Sequence, residues 1–422
     1  MISRREVFAV LPATLSAAPQ TRRPTKEEDE FLEDLSRRSF QFFWEQSDPR
    51  SGLVRDRALA DSAEPDARPW ASSAATGFGL SGLCIAVERG WIPRERARAR
   101  ALAALRFYAG ESFQMHGWFY HFVHCATGER RANSEVSSID TALLLAGMLT
   151  ARQYFREDAE IERLAMAVYR RIDFHWMLNG DPNFLSMGWR PEKGFTPARW
   201  KRHNELGILS LLAVASPGDS LPPESWYAWE RPVFTYGGYT YINGAPTLFT
   251  HQYPHAWIDF RGRREKKPPR TNWFENSVKA TYAHKQFCLD LSKEFPGCYS
   301  ENVWGITASD TAKGYRGWGG PPRKGDLDGS VVPCAAGGSL MFAPEICLPA
   351  LMRMREKYGE RIYKRYGFVD AFHPVNGWTD KNVVGIDVGI TLLSAENLRT
   401  GNVWKWFGAN PEIRRAVSRL FT

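Results

Sequence analysis

The sequence predicts an all-α protein, a closed toroid of helices with large loops gathered on one side. Three observations predict it. Apolar residues recur at helical spacing in segment after segment. Strand-like pieces are short and do not alternate with the helices, which excludes a Rossmann or TIM arrangement. Long loops rich in Gly, Pro and aromatic residues separate the helices, and no low-complexity linker divides the chain. Loops of that kind usually carry function.

The helices are read in order. Residues 27–44 place Phe31, Leu32, Leu35, Phe40, Phe43 and Trp44 on one stripe. Residues 74–87 are smoothly apolar, with Gly77, Gly79 and Gly82 allowing close helix approach. An Ala/Arg helix covers 94–107, and 137–154 opens on serines that can cap it. Helices are further expected over 160–174, 202–214, 276–295, 344–358 and 387–398, then from 403 to the end through 411–420. The longest loops are 180–197, 232–250, 302–338 and 367–385, and the strand-like pieces lie at 118–124 and 233–242.

Composition narrows the function. Of 422 residues, 43% are hydrophobic and 24% charged, which excludes a disordered chain and a disulfide mini-scaffold. No apolar run approaches the ~18 residues of a membrane-spanning helix. The net charge of +8 invites a nucleic-acid reading, but the basic residues are scattered. The densest run, 261–270, reads as a solvated loop. Aromatic residues make up 13%, with 16 Trp, enough to supply stacking platforms for sugar rings as well as core. The six cysteines form no C-x-x-C, so a zinc ribbon is not expected. Cys288 and Cys298 are close enough in sequence to pair, and the pairing is otherwise open.

Residues 1–18 read as an export signal peptide. Ser3-Arg4-Arg5 precedes a short apolar stretch, and small residues follow at Ser16 and Ala18. The arginine pair points to the twin-arginine route. Residues 19–422 are then one domain of a periplasmic or secreted protein.

No P-loop, H-E-x-x-H or G-x-S-x-G is present. His251 and His255 are spaced for one helix face, but Pro254 is expected to break any helix there, so metal ligation is not expected. Carboxylates among aromatics remain. Asp140 begins a very apolar helix, where it can also be a first-turn dipole partner. Glu135 lies just before it. Glu205 opens another apolar helix after Trp200, and a carboxyl against apolar walls has the raised pKa a general acid needs. Asp387 sits between Gly385 and Gly389, a frame read as letting backbone approach a ligand. Asp259 and Asp310 are further loop carboxylates beside Trp257 and Trp304. Carboxylate, Trp/Tyr and Gly together suggest a sugar cleft.

At these residues the chain resembles the glucoamylase-like glycoside hydrolases, which include bacterial β-1,2-glucanases. The matching stretches are Ile139-Asp-Thr-Ala-Leu-Leu-Leu-Ala-Gly147, Leu248-Phe-Thr-His-Gln-Tyr-Pro-His-Ala-Trp-Ile-Asp-Phe-Arg261 and Asn272-Trp-Phe-Glu-Asn-Ser-Val-Lys-Ala-Thr281. Trp304-Gly-Ile-Thr-Ala-Ser-Asp310, Ala343-Pro-Glu-Ile-Cys-Leu-Pro-Ala350, Tyr366-Gly-Phe-Val-Asp-Ala-Phe372 and Gly385-Ile-Asp-Val-Gly-Ile390 continue them, leading to Glu396-Asn-Leu-Arg-Thr-Gly401. The likeness runs from about Glu27 to the end. It implies an (α/α)6 barrel with a loop-built cleft at one end and inverting hydrolysis of a glucan, most of all a β-1,2-linked one. Glu205 carries over as general acid and Asp387 as general base, acting on water through a substrate hydroxyl. The implied substrate contacts are Asp140, His251, Gln252, Tyr253, Trp257, Asp259, Arg261, Trp304, Asp310, Trp318 and Trp378. The aromatics among them would stack on rings, and Arg261 and His251 would bind hydroxyls. No metal or cofactor is implied. The partner is an oligo- or polysaccharide, with neither nucleic acid nor integral membrane association, and the chain is expected to be a monomer. Val388 and Cys334 depart from the family pattern and bear on the exact substrate. Two alternatives stay open: a carbohydrate-binding protein without catalysis, and a hydrolase of another β- or α-glucan.

Overall fold

The computed structural model describes residues 22–422, so the expected signal at 1–18 lies outside the described residues. Six helices are apolar on nearly every side, and a helix of that composition must be buried all round. They are α2 (Ser73–Glu88), α4 (Ser138–Tyr154), α7 (Leu206–Ala215), α9 (Tyr253–Trp257), α11 (Pro333–Gly337) and α13 (Gly385–Arg399). Helices with one apolar face pack outside them: α1 (Lys26–Glu45), α3 (Arg94–Arg106), α5 (Ala159–Arg171), α10 (Trp273–Leu291) and α12 (Pro344–Tyr358). The short α8 (Glu224–Ala228) and α15 (Pro411–Leu420) pack beside α7. The short helices α6 (Phe174–Leu178) and α14 (Asn402–Gly408) complete the set. The result is an (α/α)6 barrel, and one core cluster runs from Phe31 to Phe421.

The inner helices touch most closely where side chains vanish. A Cβ on Gly77 of α2 would lie 2.2 Å from the Leu143 carbonyl oxygen of α4, and a Cβ on Gly147 would lie 2.0 Å from the Gly77 oxygen. A Cβ on Gly389 of α13 would meet the Phe78 ring at 2.5 Å. The glycines at 385 and 389, read as room for a ligand, instead let α13 press against α2 and the strand that ends at Asp56.

Most helices fall within a residue or two of the sequence reading, and the exceptions have local causes. The helix expected from 202 starts at Leu206, because Asn204 accepts the Leu206 N–H with its side chain at 2.9 Å. The helix expected from 276 begins three residues earlier behind the Asn272 cap. The segment read over 160–174 splits, with Asp173 capping α6. Pro254 does not break a helix: it occupies the first turn of α9, where a missing N–H costs nothing. The strand-like piece at 233–242 is a hairpin, Val233–Tyr236 with Tyr239–Ile242, folded at Gly237 and Gly238, whose φ values are +56° and +84°. All six cysteines are free and buried, so Cys288 and Cys298 do not pair. No helix among the described residues is long and apolar enough to cross a membrane.

The glycine contact gives a stability test. Gly147→Ala should destabilise the fold by about 1–3 kcal/mol through overpacking, read as a lower Tm. Gly408→Ala, with nothing within 4 Å of the new Cβ, should not.

Candidate active site

Five of the six inner helices bring their first turns to a cavity of about 610 Å³, and the sixth, α11, lies beside it. Its lining includes Ala74 at the start of α2, Ile139 and Asp140 of α4, Glu205 before α7, Tyr253 of α9 and Ile386 of α13. Cys334 of α11 and Asp387 of α13 line a small cleft of about 20 Å³ alongside. Aligned peptide dipoles make this end electropositive, which suits the carboxylates gathered there.

Glu205 is held from both sides. Upstream, the Trp200 Nε1–H donates to Ser138 Oγ at 2.8 Å, tying the loop to the first turn of α4. His203 stacks on Trp273 with ring centroids 5.1 Å apart, and its N–H donates to the Glu230 carbonyl at 2.9 Å. The carboxyl is half-buried on the cavity wall, and burial pushes it up to about 7, helped by the negative field of Asp140. It is protonated near neutral pH.

Asp140 is a first-turn residue rather than the cap. Ser137 caps α4 and donates its hydroxyl to Asp140 Oδ2 at 2.5 Å. His121 bridges Asp140 Oδ1 at 3.4 Å and Glu135 Oε1 at 3.3 Å. Burial opposes the imidazolium, but the two carboxylates outweigh it and hold His121 up at about 9. The His121 hydrogen bond in turn brings Glu135 down to about 2. His121 and Asp140 thus sit together on the cavity wall, with Glu135 behind them.

Asp387 is placed by sheet pairing. Asn382–Val384 runs antiparallel to Arg57–Leu59, and the Gly385 N–H donates to the Asp56 carbonyl at 2.7 Å. This brings Asp56 and Arg57 beside the start of α13. Arg57 donates to Asp56 at 2.8 Å and to both oxygens of Asp310 at 2.7 and 2.9 Å. Asp387 is 5% exposed. Burial raises it to about 6, against hydrogen bonds from Asp370 and Cys334 that favour its anion. Burial, with the charges of Asp387 and Glu205, pushes the Tyr253 hydroxyl well above its ordinary value.

The other sequence candidates are spread through the molecule. His251 is buried 4.7 Å from His203 by ring centroid, away from the cavity, and burial takes it down to about 3. Gln252 is fully buried and binds Ala335 O and Ser339 Oγ, joining α9 to the segment of α11. Trp257 and Trp304 are core residues, and Trp257 donates to Ser81 Oγ at 2.9 Å. Trp318 is buried and donates to Ser309 Oγ at 3.0 Å. Trp378 packs on Val332, Cys334 and Ala371. Asp259 and Arg261 pair with each other, and Arg261 lies over Trp404 at 4.2 Å. Trp404 follows the far end of α13, about 18 Å of helix from Asp387. Asp310 reaches the site through Arg57.

Several cavity residues were missed. Trp70 is 43% exposed and Tyr315 48% exposed, both on the cavity wall, where flat apolar faces are open. Tyr315 lies in the glycine-rich loop that also carries Trp318, and its loop position among glycines was the available signal. Asp56, Arg57, Arg68 and His121 carry no local motif. Asp310, Asp370 and Asp380 offer carboxylate oxygens within 4.8 Å of one another, the one cluster with metal-ligand spacing among the described residues. Both oxygens of Asp310 are already taken by Arg57.

Fold and site together define an (α/α)6-barrel protein with a carboxylate-lined cavity at the first turns of its inner helices. The chain belongs to the family described as "Glycoamylase: Putative glucoamylase", whose model matches residues 197–411, half of the chain and the half that holds Glu205 and Asp387. It is 26% identical to an exo β-1,2-glucooligosaccharide sophorohydrolase (non-reducing end) of Parabacteroides distasonis, over 93% of this chain and 58% of that protein's length. Among solved structures, the endo-β-1,2-glucanase of Chitinophaga pinensis in complex with sophorotriose and glucose superposes with a TM-score of 0.85 at 26% identity, covering 94% of this chain and 98% of that one. The endo-β-1,2-glucanase of Talaromyces funiculosus shares the fold at 12% identity and a TM-score of 0.67.

The ionisation of the cavity can be read directly. An infrared pH titration of the protein minus that of Glu205→Gln should show one buried carboxylic acid losing its proton near pH 7. A difference signal titrating near pH 4 would mean that Glu205 is an ordinary solvated carboxylate.

Proposed function

We propose that the protein is an inverting glycoside hydrolase acting on β-1,2-linked glucan or its oligosaccharides, with Glu205 as general acid and Asp387 as general base. The observation that carries the reading is a pair of buried carboxyls at the cavity and its adjoining cleft, which burial raises to about 7 at Glu205 and about 6 at Asp387, so that between these values the first is the acid and the second the base. Glu205 sits against apolar wall and keeps its proton; Asp387 receives hydrogen bonds that favour its anion. An acid and a base of that kind are what inverting hydrolysis requires. The size of the cavity suits a few sugar units, and the open faces of Trp70 and Tyr315 suit pyranose rings. The names of the two bacterial relatives favour a β-1,2 linkage.

The chemistry follows. A glucosidic bond lies between Glu205 and Asp387. Glu205 gives its proton to the leaving oxygen as the bond to the anomeric carbon breaks. Asp387 draws a proton from water, directly or through a substrate hydroxyl, and the oxygen of that water attacks from the opposite face. The configuration inverts. His121, between Asp140 and Glu135, and Arg57, between Asp56 and Asp310, hold their carboxylates in fixed orientation toward sugar hydroxyls. We also place the working protein outside the cytoplasm, a reading supported by Arg4-Arg5 and the small residues at Ser16 and Ala18. N-terminal sequencing of secreted or periplasmic material should find the chain starting shortly after Ala18, and intact Met1 on active cytoplasmic protein would overturn it.

The kinetics should show both groups. Activity needs Asp387 ionised, so it falls below about pH 6; it needs Glu205 protonated, so it falls above about pH 7. kcat/KM should therefore be a narrow bell with its maximum between these values. Glu205→Gln should lose about 10² to 10⁴ in rate on glucan, whose leaving group needs the proton, and far less on an activated aryl glycoside. Asp387→Asn should slow both substrates alike. NMR of the first product from β-1,2-glucan should show the inverted anomer, and the retained anomer would exclude the mechanism. Trp70→Ala should raise KM about tenfold with kcat little changed, the pattern of lost uniform binding.

A further inference from the structure

Five carboxylates crowd the start of α13: Asp56, Asp310, Asp370, Asp380 and Asp387, each less than a tenth exposed. Arg57 is the one cation that pairs with any of them among the described residues, and it takes Asp56 and Asp310. Asp370 and Asp387 line the same 20 Å³ cleft, close enough that each carboxyl shifts the other. One Asp370 oxygen accepts the Asp310 N–H at 2.6 Å. The other, Oδ1, and Oδ2 of Asp387 are both buried and receive no N–H or O–H from any other group. Two buried carboxyl groups on one 20 Å³ cleft, each with an orphaned oxygen, call for a proton between them.

We propose that Asp370 is a positioning residue that acts through Asp387: its carboxyl carries the proton of the pair and donates it as a hydrogen bond to the Asp387 carboxylate, fixing which oxygen faces the attacking water. The inference rests on Asp387 being the base. Three observations assign the proton to Asp370 rather than Asp387. Asp370 is 3% exposed and the one hydrogen bond it receives is the Asp310 N–H, whereas the charge of Arg57 favours the anion of Asp387. The Cys334 thiol lines the same cleft as Asp387 and favours its anion. Burial and the Asp387 charge both push Asp370 well above the ordinary carboxylate range. The other groups facing the pair are Asp56 and Arg57 from the strand end, Tyr315 from the loop, Cys334 from α11, and Asp310. Of these only Arg57 is cationic. Asp380, also raised, repeats the arrangement against Asp310 one step further from the cavity.

The test compares Asp370→Asn with Asp370→Ala on β-1,2-glucan, reading kcat, KM and the acid limb of the pH profile, with thermal unfolding to confirm the fold. The amide of Asn still donates to Asp387 and carries no charge. Asp370→Asn should keep kcat within about threefold and leave the acid limb in place. Asp370→Ala should lose about 10- to 100-fold in kcat with KM little changed, because the base is no longer aimed. It should also move the acid limb up by about one pH unit, because the anion has lost a donor. If folded Asp370→Asn is as impaired as Asp370→Ala, an ionised Asp370 is required and the proposal is overturned. The same result with activity abolished by EDTA would identify the cluster as a cation site, and equally overturns it. If Asp370→Ala does not fold, Asp370→Asn alone decides. Asp387→Asn is run alongside: should it retain activity, the base assignment fails first, and that failure is seen separately from the behaviour of Asp370.

Discussion

A helix buried on every side meets water only at its ends, and that constraint organises this molecule. Six inner helices are apolar around their circumference, so nothing polar can be presented along their length without a desolvation cost. The residues free to do chemistry are those of the first turns and of the loops that lead into them. Asp140, Glu205, Tyr253, Cys334 and Asp387 all occupy such positions, on five different helices. The glycines at 77, 147 and 389 let the inner helices touch, so the ring is narrow enough for these first turns to share one space.

The helix ends make the space electropositive, and the chain answers with carboxylates. They do not behave alike, because their neighbours differ. Glu205 has an apolar wall and keeps its proton. Glu135 has His121 and Arg190 and gives its proton up. Asp310 has Arg57. Asp370 has no cation and leans on Asp387. One residue type thus supplies an acid, a base, hydrogen-bond anchors and a proton holder, and local desolvation and pairing choose among these roles.

Much of the ring was readable in order along the chain. The helical stripes of α1, α4 and α12 announce themselves through local spacing and caps, and a helix is a local object. Glu205 and Asp387 were legible as candidates for the same reason: each stands where an apolar helix begins, and Asp387 also lies in a stretch with family likeness. His251, Trp257, Trp304 and Trp318 misled because an aromatic on a short helix or in a loop looks the same whether its ring faces a cleft or the core. Asp259 and Arg261 misled because their stretch begins at the cavity with Tyr253 and leaves the other end of α9 a turn later.

What the sequence determined alone is the set of buried helices, their capped starts and the carboxylates those starts carry, since each follows from contacts within a few residues. The tertiary structure decided which starts meet. Asp56, Arg57, Trp70, His121 and Asp370 join the site only through strand pairings and packing between segments tens to hundreds of residues apart, such as Arg57–Leu59 with Asn382–Val384. It also decided the protonation of each carboxyl, because burial and charge pairing belong to the assembled cavity and to no single segment of chain.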